Sequence, residues 1–591
     1  MCGICGEVSF DGSPADPSSL GRMLDCLARR GPDDAGAVVR GRVALGHRRL
    51  KIIDLSSRSE QPLVDPDLGL TIVFNGCIYN YQELKTELEA KGYRFFSSGD
   101  TEVILKAYHA WGEDCVKRFH GMFAFVIHER ESGRVVMARD RFGIKPLYLS
   151  ESGKKLRFAS SLPALVAAGG VDTTIDPVAL QFYMSFHAVV PAPYTILKGV
   201  RKLPPATVRV IEADGTSRQK VYWEPIYERS VEDIERPFAE WRDMVLASLR
   251  TAVDRRMVAD VPVGVLLSGG VDSSLIVGLL AEAGQKGLMT FSIGFEEAHG
   301  EKGDEFVYSD IIAKHFGTDH HKLFVPSSDL LKELPGAISA MSEPMVSYDN
   351  IGFYLLSREV AKHIKVVQSG QGADEVFGGY HWYPPLASSN NPAADYAKVF
   401  FDRDHDKLGR HLSPEWMAAK DEARAFLEDQ FGHPGAEDPV DKALRLDSTI
   451  MLVDDPVKRV DNMTMAWGLE ARVPFLDHEL AELAARIPPE HKLADGGKGV
   501  LKDVARQVVP KEVVDREKGY FPVPALKYIS GDTLDMVRDA LTSQPARERG
   551  LFRGDYLEAL FTEPSAHITP LRGSELWQVG LLELWLQNHE L

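Results

Sequence analysis

The sequence predicts a chain of two units, an α+β unit of sandwiched sheets followed by an α/β unit built on a parallel sheet with a helical C-terminal part. Three observations predict it. Residues 1–150 hold many short strand-like runs and two helices, without the strict alternation of a βαβ series. From about residue 235, short apolar runs alternate with helices, which is the pattern of a buried parallel sheet. The length of 591 residues exceeds one core at roughly 100–200 residues per domain.

The elements follow in order. Val43–Leu55 and Leu70–Phe74 read as strands bounded by turn residues. Tyr81–Gly92 reads as a helix because Leu84 and Leu88 stand four apart. Glu102–Trp111 reads as a second helix, and Phe119–Arg130 with Arg134–Arg139 as a hairpin. The stretch 186–206 carries Pro191, Pro193, Pro204 and Pro205 and reads as the tail of the first unit crossing to the second. Expected boundaries are 1–210, a linker at 211–234, and 235–591. In the second unit, Val261–Leu267, Met289–Ile293 and Ile364–Gln368 read as buried strands, and Leu275–Ala283 as a helix. Residues 387–395 read as a loop or flexible insert, and Leu576–Gln587 as a helix whose two Trp pack into a core.

Composition narrows the function. A hydrophobic share of 44% and a charged share of 26% are ordinary globular values. The net charge of -18 argues against a general nucleic-acid or anionic-membrane binder, since both need clustered Lys and Arg. The 5 Cys fit a reducing compartment rather than a disulfide framework. Neither a run of about 18 apolar residues nor a secretory signal is present, so the expected location is cytoplasmic and off the membrane.

The chain begins Met1-Cys2-Gly3-Ile4-Cys5-Gly6. A small residue at position 2 permits removal of Met1, leaving a thiol and an α-amine on one residue. That amine titrates near 7.7–8.0 and can take the thiol proton at neutral pH. Cysteine is partly thiolate near neutrality, which suits a nucleophile. A Cys near the start arises by chance in many proteins, so the surroundings decide. Asn75 and Gly76 follow a strand and are the right donors for an oxyanion hole. Arg49 can take a carboxylate in a fork, and Asp100, in Ser98-Gly99-Asp100-Thr101-Glu102, can pair an ammonium. These are the groups that would recognise the amino-acid end of glutamine.

With these residues in place, 1–205 resembles the class II glutamine amidotransferase domain, an N-terminal-nucleophile αββα sandwich. The resemblance implies Cys2 as nucleophile, with Asn75 and Gly76 as the oxyanion hole. It implies a glutamine site lined by Arg49, Leu50, Lys51, Ile52 and Ile53, with Asn75, Gly76, Cys77 and Asp100. One position departs: the family usually has Glu where this chain has Cys77, which shifts the grip on the α-ammonium toward Asp100.

Ser268-Gly269-Gly270-Val271-Asp272-Ser273-Ser274 lies between an expected strand and helix. Glycines let backbone approach a phosphate, the helix N-terminus supplies N–H groups, and Asp272 can hold Mg²⁺. An ordinary Gly/Ser turn is the bland reading, and the strand–SGGxDSS–helix context makes it the weaker one. Ser369-Gly370-Gln371-Gly372-Ala373-Asp374-Glu375 follows another apolar strand, with Asp374 a candidate second Mg²⁺ ligand or, more plainly, a helix cap. His315, His320 and His321 lack a second Cys/His cluster and read as packing or surface residues rather than a metal site.

The first loop resembles the pyrophosphate loop of ATP pyrophosphatases. With Met463–Asp477 and Lys518, residues 235–530 resemble the synthetase domain of asparagine synthetases. The resemblance implies adenosine contacts from Leu266, Ile293, Ser369 and Gly370, Mg²⁺ on Asp272 and Asp374, and Lys518 stabilising the charged intermediate. Those synthetases usually carry SGEGSDE, so Gln371 stands where a Glu helps form or break the acyl-adenylate, and Gln carries no negative charge. NGCIYN at 75–80, SFHAVVPAPYTIL at 185–197 and SGQGADEVFGGYHWYPP at 369–385 look like N-acetylglutaminylglutamine amidotransferases, which amidate a blocked dipeptide to make a compatible solute.

The expected chemistry is therefore release of ammonia from glutamine at Cys2 and ATP-dependent amidation of a carboxylate through an acyl-adenylate. Partners are small molecules, and a homodimer is compatible with this reading. The alternatives are an asparagine synthetase acting on aspartate, a non-catalytic glutamine and ATP sensor, and a β-lactam-forming synthetase. Intact Cys2, Asp272, Asp374 and Lys518 count against the sensor, and Cys2 against the ring-forming enzyme.

Overall fold

A computed structural model describes residues 2–297, 303–516 and 529–591. The first unit holds two antiparallel six-stranded sheets. One runs, in spatial order, Arg201–Lys202, Tyr148–Ser152, Lys155–Ala159, Gly3–Ser9, Val43–Arg49 and Asp34–Arg40. The other runs Ser217–Val221, Thr207–Ile211, Val135–Arg139, Gly121–Glu129, Leu70–Ile78 and Leu63–Asp65. Ile4, Val8 and Leu45 of the first sheet meet Val73, Val126 and Met137 of the second in a dry layer. Helices Pro17–Cys26 and Leu162–Ala168 cover one outer face. Tyr81–Ala90 and Asp100–Trp111 cover the other, burying Leu84, Leu88, Ile104 and Tyr108 against the second sheet. The result is the αββα sandwich.

The second unit is a five-stranded parallel sheet ordered Asp319–Val325, Met289–Phe295, Val263–Leu266, Val366–Gln368 and Glu470–Arg472. The three strands Met289–Phe295, Val263–Leu266 and Val366–Gln368 are almost wholly buried, as expected for a parallel sheet covered on both faces, while the edge strand Asp319–Val325 is far more exposed. The helical remainder ends in Glu575–Asn588, which buries Trp577 and Trp585.

Several elements differ from the sequence expectation. The strand from Val43 ends at Arg49, not Leu55. Asp54 takes a positive φ of 48°, and its carboxylate accepts from Ser59 Oγ at 2.7 Å and Ser98 N at 2.8 Å, which turns the chain. The apolar Leu50 and Ile52 pack on Val263 and Val366 of the other unit, so their hydrophobicity serves the interface rather than a strand. The strand from Leu70 continues past Phe74 to Ile78. Residues 392–395 are not loop: Pro392–Phe400 is a helix, with Asn391 as its N-cap accepting from Ala394 N at 3.3 Å. The strand Ser217–Val221 lies within the stretch expected as linker, pairing with Thr207–Ile211 and extending the first unit's sheet past residue 210. His320 and His321 lie on the strand Asp319–Val325, where His321 stacks on Phe291 at 5.1 Å.

The two units share core and charge. Tyr183 in the helix Pro177–Ser185 donates to Gln578 O, and Gln578 Nε2 donates to Tyr183 O, both at 2.8 Å. Asp461 accepts Arg30 at 2.9 Å and Lys145 at 3.3 Å across the seam. Lys202 pairs with Glu343 at 3.1 Å and Asp454 at 2.5 Å. Such buried cross-pairs fix the register of docking more than they add stability, because desolvation offsets much of the attraction.

Candidate functional site

The first site opens at the end of the strand Gly3–Ser9. Cys2 is buried, and burial pushes its thiol above the ordinary range, while the Leu50 N–H and Arg49 act the other way. A thiol in that state needs a base, and the geometry supplies one candidate. The backbone nitrogen of Cys2 donates to Asn75 Oδ1 at 3.0 Å. Asn75 Nδ2 is buried and makes no hydrogen bond among the described residues, which leaves one donor unused beside Cys2. Gly76 must be glycine: an added Cβ would sit 2.1 Å from Met122 O.

A small pocket lies beside Cys2. Arg49, Leu50, Ile52, Ile53, Gly76, Cys77 and Asp100 line it, together with Glu470 and Arg472 from the other unit. Arg49 is steadied by donating to Ser56 O at 2.8 Å and to Asp54 O. Asp100 opens its helix, accepts from Ile78 N at 3.0 Å, and is pushed up to about 6 by burial, with Glu470 adding to the rise. Lys51 does not line the pocket: its N–H donates to Asp33 at 2.7 Å and its ammonium lies 3.7 Å from Asp34.

The second site forms at the carboxyl ends of the parallel strands, where ligands bind in open α/β sheets. After Val263–Leu266 the chain turns through Ser268-Gly269-Gly270 into the helix Val271–Glu282. Gly269 holds φ at 78°, and a Cβ there would lie 2.8 Å from Ser309 N. Ser268 Oγ and Ser273 Oγ stand 3.0 Å apart and close the loop. Leu266 and Ile293, both nearly buried, flank it on adjacent strands. Ser369 N donates to Arg472 O at 2.8 Å, and Gly370 packs so closely that a Cβ would be 3.0 Å from Asp272 Cβ. The two sequence loops thus meet face to face, with Gln371 next in line and half-buried. The Ser274 hydroxyl is buried without a partner among the described residues.

Asp272 and Asp374 converge on Lys498, whose ammonium lies 2.8 Å from one and 2.9 Å from the other. Both carboxylates raise the Lys498 pKa against the pull of burial. Gly379 roofs the cluster, since a Cβ there would be 1.9 Å from Asp374 Oδ1. Two carboxylates close enough to share one cation also fit the oxygen-ligand demands of Mg²⁺. Lys518 lies outside the described residues.

Lys498, Glu470 and Arg472 escaped the sequence reading, as did Arg516, whose guanidinium grips Glu305 at 2.7 and 2.9 Å and lies 3.9 Å from where a Gly270 Cβ would be. Glu470 and Arg472 lie within Met463–Asp477, where the sequence gives neither a role of its own. Lys498 follows Gly496-Gly497, and its αL backbone gives no sequence signal of the carboxylates it reaches.

Comparison with known proteins bears on both units. The asparagine synthase family model matches residues 244–587, and the glutamine amidotransferase domain model matches residues 1–223. "Asparagine synthetase [glutamine-hydrolyzing] 1" of Bacillus subtilis (strain 168) is 32% identical over 629 aligned residues, covering 99% of this chain and 96% of its own. A "putative asparagine synthetase [glutamine-hydrolyzing]" of Mycobacterium bovis is 34% identical over 606 residues, covering 92% and 91%. "Amidase chry2" of Gibberella zeae is 25% identical over 634 residues, covering 93% of each.

Proposed function

The chain belongs to the glutamine-hydrolysing asparagine synthetase family, and from that premise we propose that it amidates a carboxylate with no neighbouring free amine, best matched by N-acetylglutaminylglutamine. It is a glutamine-dependent amidotransferase ligase. The observation that carries the acceptor reading is Gln371 between Gly370 and Gly372, a neutral side chain in the loop that meets the SGGVDSS turn. Glu375, four residues on, is held by Tyr380 at 2.7 Å, and burial, with Asp374, raises its pKa. An acceptor bearing an ammonium would want an acidic clamp there. A blocked dipeptide would not.

In the first site, the α-amine of Cys2, exposed by removal of Met1, takes the thiol proton while Asn75 Oδ1 orients that nitrogen. The sulfur attacks the glutamine amide carbon and Asn75 Nδ2 and the Gly76 N–H receive the oxyanion; the α-ammonium then returns its proton to the amide nitrogen, and ammonia leaves as the C–N bond breaks. Water then hydrolyses the thioester to glutamate. In the second site, an acceptor carboxylate oxygen bonds the α-phosphorus of ATP and pyrophosphate leaves. Ammonia attacks the acyl carbon, loses a proton, and AMP departs. The backbone of Ser268–Gly270 and the Lys498 ammonium orient and neutralise the phosphates. Asp272 and Asp374 would hold Mg²⁺, which when bound offsets phosphate charge.

The test is direct. Purified enzyme is mixed with ATP, Mg²⁺, glutamine and either N-acetylglutaminylglutamine or aspartate, and amide product is followed by mass spectrometry with pyrophosphate release. Turnover of the dipeptide supports the reading. Brisk asparagine formation without dipeptide turnover assigns the enzyme to aspartate instead. No pyrophosphate from any carboxylate would favour a non-catalytic sensor.

A further inference from the structure

We propose that Glu470, contributed by the second unit, completes the glutamine site by taking the substrate α-ammonium together with Asp100. The proposal rests on glutamine being the substrate of the Cys2 pocket. Glu470 begins the strand Glu470–Arg472 at the edge of the parallel sheet, yet its side chain lines the pocket of Cys2, Arg49 and Asp100. It is 1% exposed.

The charges in this pocket have a direction. Arg49 is the cation of the first unit there and suits the α-carboxylate. Asp100 and Glu470 are two buried carboxylates on one cavity, near enough that the Glu470 charge helps raise the Asp100 pKa. Against the pull of burial, Arg472 at 2.6 Å and Lys145 keep the Glu470 carboxylate ionised. An ionised carboxylate on the cavity wall beside Asp100 is suited to pair the substrate ammonium. Cys77 offers nothing in its place: burial pushes that thiol well above the ordinary range, and its sulfur lies 3.7 Å from Arg472.

Glu470 is also held in position. Arg472 Nε donates to Glu470 Oε1 at 2.6 Å. Arg472 itself is anchored by donating to the carbonyls of Arg256 and Val258, both at 2.8 Å. The same strand touches the second site, where the Arg472 carbonyl accepts from Ser369 N. One strand therefore presents a carboxylate to glutamine and braces the adenylating loop. Glutamine is read fully only when the two units are docked.

The experiment uses the full chain carrying Glu470→Gln or Glu470→Asp. Hydrolysis of glutamine is compared with hydrolysis of glutaramate, the same amide and carboxylate without the α-ammonium. The wild type should prefer glutamine. Glu470→Gln should lower kcat/KM for glutamine at least tenfold and leave glutaramate within twofold. Glu470→Asp should restore part of the preference. A brace with no substrate contact would lower both substrates equally, and that result, or an unchanged preference, overturns the proposal. Alkylation of Cys2 by iodoacetamide at the wild-type rate shows that the thiol's setting is intact. A wild type that fails to hydrolyse glutamine at all would overturn the glutamine reading and this inference with it.

Discussion

The Lys498 ammonium stands 2.8 Å from the Asp272 carboxylate and, on its other side, 2.9 Å from Asp374. The three groups come from three separate elements and meet under Gly379, whose missing side chain leaves them room. Removing the cation leaves two partly buried carboxylates facing each other. Lys498→Ala should therefore lower ATP-dependent amide synthesis on the order of a hundredfold or more, the scale seen when one charge-stabilising donor is lost. Glutamine hydrolysis at Cys2 should change little. Pyrophosphate release and glutamate formation, measured on the same preparation, separate the two.

Cys2→Ala should show the reverse pattern. In the proposed mechanism this removes the nucleophile of the first site and leaves the loops of the second unchanged. Glutamine-supported synthesis should fall at least about a thousandfold, as when a covalent nucleophile is removed. Synthesis supported by ammonium chloride should survive. Loss of both would mean that the sites do not work as two.

Asp100 gives a pH dependence whose sign can be stated. Its carboxyl titrates at about 6, above the ordinary 3.8, because burial and then Glu470 oppose its charge while the Ile78 N–H partly restores it. In the proposed glutamine site, ionised Asp100 would attract the substrate ammonium and protonated Asp100 would not. Affinity is thus present above about pH 6 and is lost as pH falls through it. Calorimetric titration of glutamine into the Cys2→Ala variant, which cannot turn over, should show Kd rising tenfold per pH unit below that point. Asp100→Asn should bind weakly and without this slope. The same shift acts oppositely on stability: a raised carboxyl binds its proton more tightly when folded, so its contribution favours folding at low pH and is lost as pH rises from about 4 to about 6.

The buried triad at the seam predicts a stability effect. Asp461 is nearly inaccessible and answers two cations, Arg30 at 2.9 Å and Lys145 at 3.3 Å, both from the first unit. Asp461→Ala strands both charges and should cost about 3–5 kcal/mol. Thermal unfolding should move down by several degrees. The exposed pair Lys117–Asp114 is the control: at 2.8 Å in solvent, its loss should cost less than about 1 kcal/mol.

How far the sequence carried this picture depended on where each signal resides. Alternating strands and the Ser268–Ser274 turn are local, and local patterns survive without knowledge of the fold. Leu50 and Ile52 misled because an apolar run buried against another unit looks the same as one buried in its own sheet. The helix Pro392–Phe400 was hidden behind Ser389-Asn390-Asn391, which is turn chemistry but also an N-cap. Glu470 carries no signal of its own in the sequence, since nothing along the chain says that the last strand of one unit reaches the Cys2 pocket of the other. Lys498 lies 226 residues from the carboxylate it neutralises, a pairing only folding creates.

Gln371 allows the acceptor to be tested by a single atom change in charge. The side chain is half-buried beside Gly370, which packs against Asp272, so a Glu there would add a negative charge to the loop where the proposed acceptor would react. That charge would repel a carboxylate lacking a compensating ammonium. It would also draw the ammonium of aspartate, which carries one next to its carboxylates. Gln371→Glu should therefore lower kcat/KM for N-acetylglutaminylglutamine by about tenfold, the effect of roughly 1.4 kcal/mol. It should raise the use of aspartate relative to the dipeptide. Competition between the two acceptors in one tube, read by mass spectrometry, gives the ratio without separate rate constants. An unchanged ratio would place Gln371 outside the acceptor's reach and remove the main support for an amine-free substrate.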